Sequence, residues 1–220
     1  MKNYICGYGS LIEQESRTRT TPQAVAAFPV KVKGYVRGWW ARTGGVGFST
    51  TYLGCVASNA HSGFSADYLN GVIYEVSESE LVATDQREQG YTRTLISNSA
   101  IEDYLGVLGA GDKVWIYLNK FPNNTIPTDV LPSPDFPIVQ SYVDICVNGC
   151  LELETLYPVA KQKNFAVEFI KSTQIWSKHW ANDRLYPRRP FIYCPNASTI
   201  DGLLSSNLTD KSIFKSIYIE

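Results

Sequence analysis

Histidine is scarce in this chain: His61 and His179 are the only two among 220 residues. Five cysteines (Cys6, Cys55, Cys146, Cys150 and Cys194) are odd in number and irregularly spaced. That pattern suits reduced thiols in a cytosol better than a disulfide framework. Cys146 and Cys150 stand four apart on an expected helix, yet no nearby histidine completes the four N/S ligands of structural zinc. No metal is therefore expected. A Cys6 nucleophile would need His61 or His179 beside it, and nothing in the spacing brings either close. Cys6 reads instead as a core thiol, and His61 as a surface residue of a polar loop. Charge of one sign is also lacking. The formal net charge of −1 gives no electrostatic reason to expect nucleic acid or an anionic membrane as partner. No run approaches about 18 uninterrupted apolar residues, so no membrane span is expected. The short apolar stretch after Met1 is broken by glycines and does not make a secretory core segment. A cytoplasmic location is the expectation.

What is present is globular in character, with 44% hydrophobic and 19% charged residues. The length suits one domain, or one domain with an elaborate tail. Short strands are expected over 3–8, 30–39, 52–57, 70–76, 91–96 and 112–118, from alternation and from aromatic and β-branched enrichment. The clearest helix start is Ser77, followed three residues later by Glu80 as in a capping box. Gly90 is placed to stop that helix, with Glu88 in its last turn. Residues 119–139, rich in Pro, Asn, Thr and Asp, read as a long irregular connection, of the kind that covers something functional. Helical patterns follow at 140–156, 162–173 and 197–205. Strands first and helices later give an α+β class.

Two features carry chemistry. Gly7-Tyr8-Gly9-Ser10-Leu11 follows the first strand directly. Its glycines allow a sharp turn that exposes successive backbone N–H groups, suited to a carboxylate or a developing oxyanion. It lacks the spacing of dinucleotide and P-loop motifs, and plain turn geometry is its ordinary reading. The second is Asp85-Gln86-Arg87-Glu88-Gln89-Gly90-Tyr91. A carboxylate at a helix C-terminus faces the negative pole of the dipole, which favours its protonated form and raises its pKa. A carboxyl group so tuned can serve as both base and acid near neutral pH. The bland alternative is a solvated helix end whose Arg87 pairs with an acidic neighbour.

Together, in order, these segments resemble the γ-glutamylcyclotransferase-like proteins, and the ChaC-type branch in particular. Tyr4-Ile5-Cys6-Gly7-Tyr8-Gly9-Ser10-Leu11-Ile12 is similar to that family's N-terminal Tyr-Gly-Ser loop. Gly34-Tyr35-Val36-Arg37-Gly38-Trp39 resembles its second strand, and Asn70-Gly71-Val72-Ile73-Tyr74-Glu75-Val76 the strand before its catalytic helix. Asp85-x-Arg87-Glu88-x-Gly90-Tyr91 resembles the segment with the essential glutamate, and Gln140-Ser141-Tyr142-Val143-Asp144 a segment opening a late helix. The match spans roughly residues 3–155.

The resemblance implies a small mixed β-barrel flanked by helices, with a cavity at one end. It implies a domain over 1–158 and a helical or irregular extension, 159–220, packed on it. It makes Glu88 the catalytic acid/base, and Tyr8, Gly9, Ser10 and Leu11 the substrate cradle. Tyr91 and Tyr142 are candidates for lining the cavity, core packing being their alternative role. The implied partner is a small γ-glutamyl compound, cyclised to 5-oxoproline without a cofactor. A non-catalytic module binding a metabolite or protein on the same fold remains a second reading. A third is γ-glutamyl hydrolysis or acyl transfer, marked by release of free glutamate. In the extension, Trp176 and Trp180 are expected to share one helix face. Arg184, Arg188 and Arg189 are expected to tether the tail or to hold a substrate carboxylate.

Overall fold

The structure, a computed structural model, describes residues 1–43, 49–60, 63–88, 90–188 and 194–219. His61 and Arg189 lie outside the described residues. The first half holds β1 (Asn3–Gly7), α1 (Gln14–Thr20), β2 (Phe28–Lys33), β3 (Tyr35–Thr43), β4 (Thr50–Ala57), β5 (Tyr68–Val76), α2 (Glu78–Arg87), β6 (Tyr91–Ile96), β7 (Ile101–Asp103) and β8 (Lys113–Asn119). Six of these strands form a mixed sheet in the order β6-β8-β1-β5-β2-β7. Its pairs are antiparallel except β1 with β8. Central β1 is buried over Tyr4–Gly7, so its side chains on both faces meet apolar neighbours.

The expected single strand over 30–39 is broken at Gly34, whose φ of +80° lies in the left-handed region. Only glycine takes that conformation without strain, and the chain turns there from β2 into β3. β3 then pairs with β4 as a separate antiparallel hairpin. Side chains, not a continuous ladder, fasten the hairpin to the sheet. Cys55 N–H donates to Asn119 Oδ1 (2.8 Å), and Arg37 of β3 donates to the Asn70 carbonyl of β5. The barrel is accordingly not strictly closed.

The irregular 119–139 connection does cover something, but not the cavity described below. Phe121, Ile126, Val130 and Leu131 pack on Val36, Trp40 and Val56 of the hairpin.

The second half holds β9 (Ile138–Val139), α3 (Gln140–Leu156), α4 (Pro158–Gln162), α5 (Phe165–Ser172), β10 (Trp180–Asn182), α6 (Ala197–Asn207), α7 (Lys211–Lys215) and β11 (Tyr218–Ile219). The helix expected at 162–173 is α5, which starts three residues later because Asn164, at a left-handed φ of 50°, separates it from α4. Helix α3 is buried from Gln140 to Cys150 and runs through the core, so it is apolar around much of its circumference. One hydrophobic cluster joins Ile5, Val72 and Tyr74 to Ile145, Phe165, Phe169, Trp180 and Leu204. Residues after 158 thus share the core of the strands. Trp176 and Trp180 do not share a helix face: Trp180 lies on β10, and the chain before Trp176 turns through Ile175 at φ 61°. Their rings nevertheless stack, with centroids 5.2 Å apart.

The tail is tied down by charge as well. Asp183, buried, accepts from the Ser141 N–H and hydroxyl (both 2.7 Å) and from the Arg188 N–H (2.7 Å). It thereby caps α3, whose own N-cap residue, Val139, has no side chain for the task. Arg184 bridges Asp144 (2.7 and 2.8 Å) to Asp201 (both 2.9 Å), and Arg188 donates to the Ser49 carbonyl (2.8 Å). Both arginines therefore tether. Among the described residues, no helix is long and apolar enough to cross a membrane.

Candidate active site

A cavity of about 430 Å³ opens at the end of β1. Its lining brings together every site residue expected from the sequence: Tyr8, Gly9, Ser10, Leu11, Glu88, Tyr91 and Tyr142. It adds Ser16, Arg19, Tyr52, Leu53, Tyr74, Thr84 and Tyr117, which the sequence pattern did not single out. Among the described residues, no lining residue lies beyond Tyr142.

The loop after β1 becomes a short 3₁₀ turn over Ser10–Ile12. Ile12 N–H donates to the Gly9 carbonyl (3.0 Å) and Glu13 N–H to that of Ser10 (3.2 Å). The first-turn N–H groups of Ser10 and Leu11 have no acceptor within the turn. Two buried arginines hold the loop's carbonyls. Arg37 donates to the Tyr8 carbonyl (3.3 Å), and Arg17 to those of Leu11 (3.1 Å) and Ile12 (2.9 Å). In a planar trans peptide the C=O and the next N–H point in opposite directions. Pulling the Tyr8 carbonyl toward Arg37 therefore turns the Gly9 N–H away from that arginine.

Gly9 has a steric reason to be glycine. A Cβ there would come within 2.9 Å of the Tyr142 hydroxyl oxygen. Gly149 on α3 plays a matching part, since a Cβ would lie 2.4 Å from the Glu13 nitrogen. Without that Cβ, α3 presses directly on the turn and presents Tyr142 to Gly9. Tyr142 is itself wedged edge-on between Tyr52 (centroids 4.8 Å apart) and Trp39 (6.0 Å).

Helix α2 delivers the carboxylate. Its start is the capping box expected from the sequence, with Glu80 N–H to Ser77 Oγ at 3.2 Å and Ser77 N–H to Glu80 Oε2 at 2.8 Å. Its end differs slightly from expectation. Arg87 is the last helical residue and Glu88 is the C-cap itself (φ −92°, ψ 38°). Glu88 N–H donates to the Thr84 carbonyl (2.9 Å), and its own carbonyl accepts from Tyr91 N–H (2.9 Å). One turn earlier, Asp85 accepts from the Tyr117 hydroxyl (2.9 Å) and from Arg93 (2.8 Å). These bonds pin the end of α2 to β8 and β6, and so fix where Glu88 stands.

Among the described residues, six tyrosines line the cavity. Burial pushes the Tyr8 phenol well above its usual pKa, with Cys55, Tyr91, Tyr142 and Glu88 adding to the effect. Burial, then Glu88, likewise raises Tyr91, against a hydrogen bond with Asn119. Tyr117 is raised by burial and by its bond to Asp85. The phenols therefore remain protonated at neutral pH and act as hydrogen-bonding groups. The Tyr8 hydroxyl is already used, donating to the Tyr117 carbonyl (2.9 Å). Cys6 is buried and its thiol pushed up to about 12, which makes it a poor nucleophile. Among the described residues, Glu88 is the one carboxylate in the lining. Among them too, no cluster of His, Cys, Asp and Glu could hold a metal ion.

The lining residues that sequence reasoning missed gave little signal. Tyr74 and Tyr117 sit on strands whose alternation was legible, but alternation does not say which face of a curved sheet encloses a hollow. Abundance of tyrosine was the one available hint.

No protein-family model and no curated protein matches the chain. Solved structures do. A γ-glutamyl cyclotransferase superposes with a TM-score of 0.50 at 15% identity, over 73% of this chain and 85% of that one. An uncharacterized human protein gives 0.48 at 14% identity, with the same coverage of 73% and 85%. A yeast γ-glutamyl cyclotransferase specific to glutathione gives 0.40 at 11% identity, over 94% of this chain and 96% of that one. The chain thus has the γ-glutamylcyclotransferase-like fold, a mixed α+β architecture. At this identity the first superposition establishes the fold alone.

Proposed function

We propose that the protein is a γ-glutamylcyclotransferase, converting a γ-glutamyl compound to 5-oxoproline with release of an amine or peptide. The observation that supports this reading is that Glu88 and the Tyr8–Leu11 loop line one cavity. In the proposed reaction the substrate's α-carboxylate and reacting carbonyl lie at the loop amides. The Glu88 carboxylate takes a proton from the α-ammonium. The freed amine attacks the γ-carbonyl carbon of the same molecule and closes a five-membered ring. Negative charge developing on the carbonyl oxygen is met by the loop's N–H donors. The bond to the departing nitrogen breaks as Glu88 passes protons to it. The two protons lost by the α-ammonium end on that nitrogen, which leaves as an ammonium.

So sparse a site suffices because nucleophile and electrophile belong to one molecule, and orientation supplies much of the acceleration. Tyr8, Tyr91 and Tyr117 fit a positioning role, since burial holds their phenols protonated at neutral pH.

The test is incubation of the full chain with a panel of γ-glutamyl amino acids, peptides and amines, assayed for 5-oxoproline and for free glutamate. 5-Oxoproline is the expected product. Glutamate without 5-oxoproline would instead indicate hydrolysis, and neither product would favour the binding-module reading. Glu88→Gln keeps size and shape but removes the titrating oxygen. It is expected to lower turnover about 10³-fold, the scale of general acid–base catalysis, in a protein that unfolds like the parent. A folded Gln variant with full turnover would remove Glu88 from the mechanism.

A further inference from the structure

Asn119, the last residue of β8, is not in the cavity lining and has no part in the reaction proposed above. Its register partner across the β6–β8 ladder is Tyr91, which does line the cavity. Directly opposed residues of an antiparallel pair place their side chains on the same face, so amide and phenol are neighbours. The β3–β4 hairpin orients the amide. Cys55 N–H donates to Asn119 Oδ1 (2.8 Å), and an N–H can be met only by the amide's oxygen. Gly54 leaves room for that contact, since a Cβ there would collide with Asn119 Oδ1. The other end of the amide, Nδ2, only donates. It donates to the Tyr91 phenol oxygen, the bond that opposes the rise in that phenol's pKa. With Asn119 on its accepting side, the Tyr91 O–H is directed elsewhere. Among the described residues it meets no acceptor. Tyr8 and Tyr117 differ, because their protons go to the Tyr117 carbonyl and to Asp85. Of these three phenols, Tyr91 alone keeps its proton for the cavity.

We propose that Asn119 is a positioning residue: by donating to Tyr91 it commits that phenol to donate a hydrogen bond to the substrate's reacting carbonyl oxygen. The inference rests on the cyclotransferase reading and adds a donor to its machinery. Tyr91 then works beside the loop N–H groups as a catalytic hydrogen-bond donor. A phenol left to itself both donates and accepts, and turned the other way its lone pairs would repel the developing negative charge. Fixing its direction in advance removes that reorganisation from the reaction. The donors also run in series, from Cys55 N–H through the Asn119 amide to the Tyr91 hydroxyl, and hydrogen bonds in such a chain strengthen one another. Burial and Glu88 hold the proton on Tyr91. It is shared with the carbonyl oxygen and not given up, so Glu88 carries every proton that moves. Once Glu88 has taken a proton from the α-ammonium it is neutral, and the carbonyl oxygen becomes the stronger acceptor.

The experiment measures kcat and KM, per folded molecule, for 5-oxoproline formation from the compound of the γ-glutamyl panel that turns over fastest. Tyr91→Phe removes the hydroxyl and is expected to lower kcat about 10²-fold with KM little changed, the scale of one oxyanion donor. Asn119→Asp keeps an acceptor for the Cys55 N–H but offers Tyr91 a carboxylate oxygen. The phenol then turns to donate to it, and kcat is expected to fall about as far. In the double variant the losses should not multiply, because without the hydroxyl Asn119→Asp has nothing to reorient. Losses that do multiply overturn the proposal, since Asn119 would then act on the fold or on Glu88 and not through Tyr91. An Asn119→Asp protein with wild-type kcat overturns it, as does a loss confined to KM. Full kcat in Tyr91→Phe overturns it without any variant at Asn119, so the test survives an Asn119→Asp chain that fails to fold. Absence of 5-oxoproline from every panel compound with the wild type overturns the cyclotransferase reading and the inference with it. Formation of 5-oxoproline at an undiminished rate by Tyr91→Phe defeats the inference alone.

Discussion

Two arginines, buried Arg37 behind the cavity and half-buried Arg184 in the tail, show how differently the two halves of this molecule use a cation. Arg37 is wholly buried, and among the described residues its partners are neutral oxygens. They are the Tyr8, Asn70 and Phe169 carbonyls, Asn70 Oδ1, Ser172 Oγ and Thr173 Oγ1. Its ring contact is Phe169, 3.8 Å from the guanidinium carbon. Burial without a countercharge brings its pKa down to about 10. Arg184 has two carboxylates, Asp144 and Asp201, and its pKa is raised, chiefly by the hydrogen bonds it donates to Asp144. A guanidinium ringed by carbonyls and hydroxyls fixes backbone orientation, here that of the site loop and of β5. One held by carboxylates fastens whole elements together, here α3, the tail and α6. The first arrangement is demanding of geometry, since one planar fork must meet six oxygens at once.

That contrast can be broken by experiment. The largest effect expected anywhere in the protein is the loss of turnover in Glu88→Gln, which leaves both arginine networks intact. Arg37→Met comes next. It removes the donor to six oxygens, of which the Phe169 carbonyl, Ser172 Oγ and Thr173 Oγ1 keep other hydrogen bonds, and should destabilise the fold by about 3–5 kcal/mol, by analogy with breaking buried polar networks. Denaturant unfolding measures this, and turnover per folded molecule should fall as well, because the Tyr8 carbonyl loses its anchor. Arg184→Met should cost less, about 2 kcal/mol, since Asp144 keeps the Gln140 amide (2.8 Å) and Asp201 is partly exposed. It should also spare turnover more than Arg37→Met does. The reverse order in either measurement would show that the tail, and not the Arg37 network, governs the site.

The smallest effect sharpens the same point from the acidic side. Glu152 on α3 is raised in pKa by burial and by nearby Glu13. A carboxyl group whose folded pKa lies above its unfolded value favours folding when protonated, and loses that contribution as pH rises through the folded pKa. Near pH 7, Glu152 is therefore a liability. Glu152→Gln should raise the melting temperature slightly at pH 7, and the gain should vanish below the ordinary glutamate value of 4.5. Melting curves at pH 7 and pH 4 test this; a larger gain at the lower pH would contradict it.

Local signals carried much of the site. The capping box at Ser77 and Glu80 fixes where α2 begins, and ten residues of helix bring Glu88 to its end. The glycines around Tyr8 marked the loop, because a turn there needs close approach that a Cβ would prevent. The corner at Gly34 and the break at Asn164 were not legible, since each depends on a single residue in the left-handed region within an otherwise regular pattern. Nor was the cap on α3, because Asp183 lies 42 residues from the Ser141 it serves.

The sequence by itself determined the α+β class, the position of the loop after β1, and the helix that ends in Glu88. These depend on interactions between residues a few positions apart, so periodicity and capping residues reveal them. Only the tertiary structure decided that loop and carboxylate share one hollow, that six tyrosines and Arg19 turn toward it, and that Arg17 and Arg37 brace it from behind. Those outcomes follow from how strands curve and where α3 packs. They are set by volume and by long-range hydrogen bonding, which no short window of sequence contains.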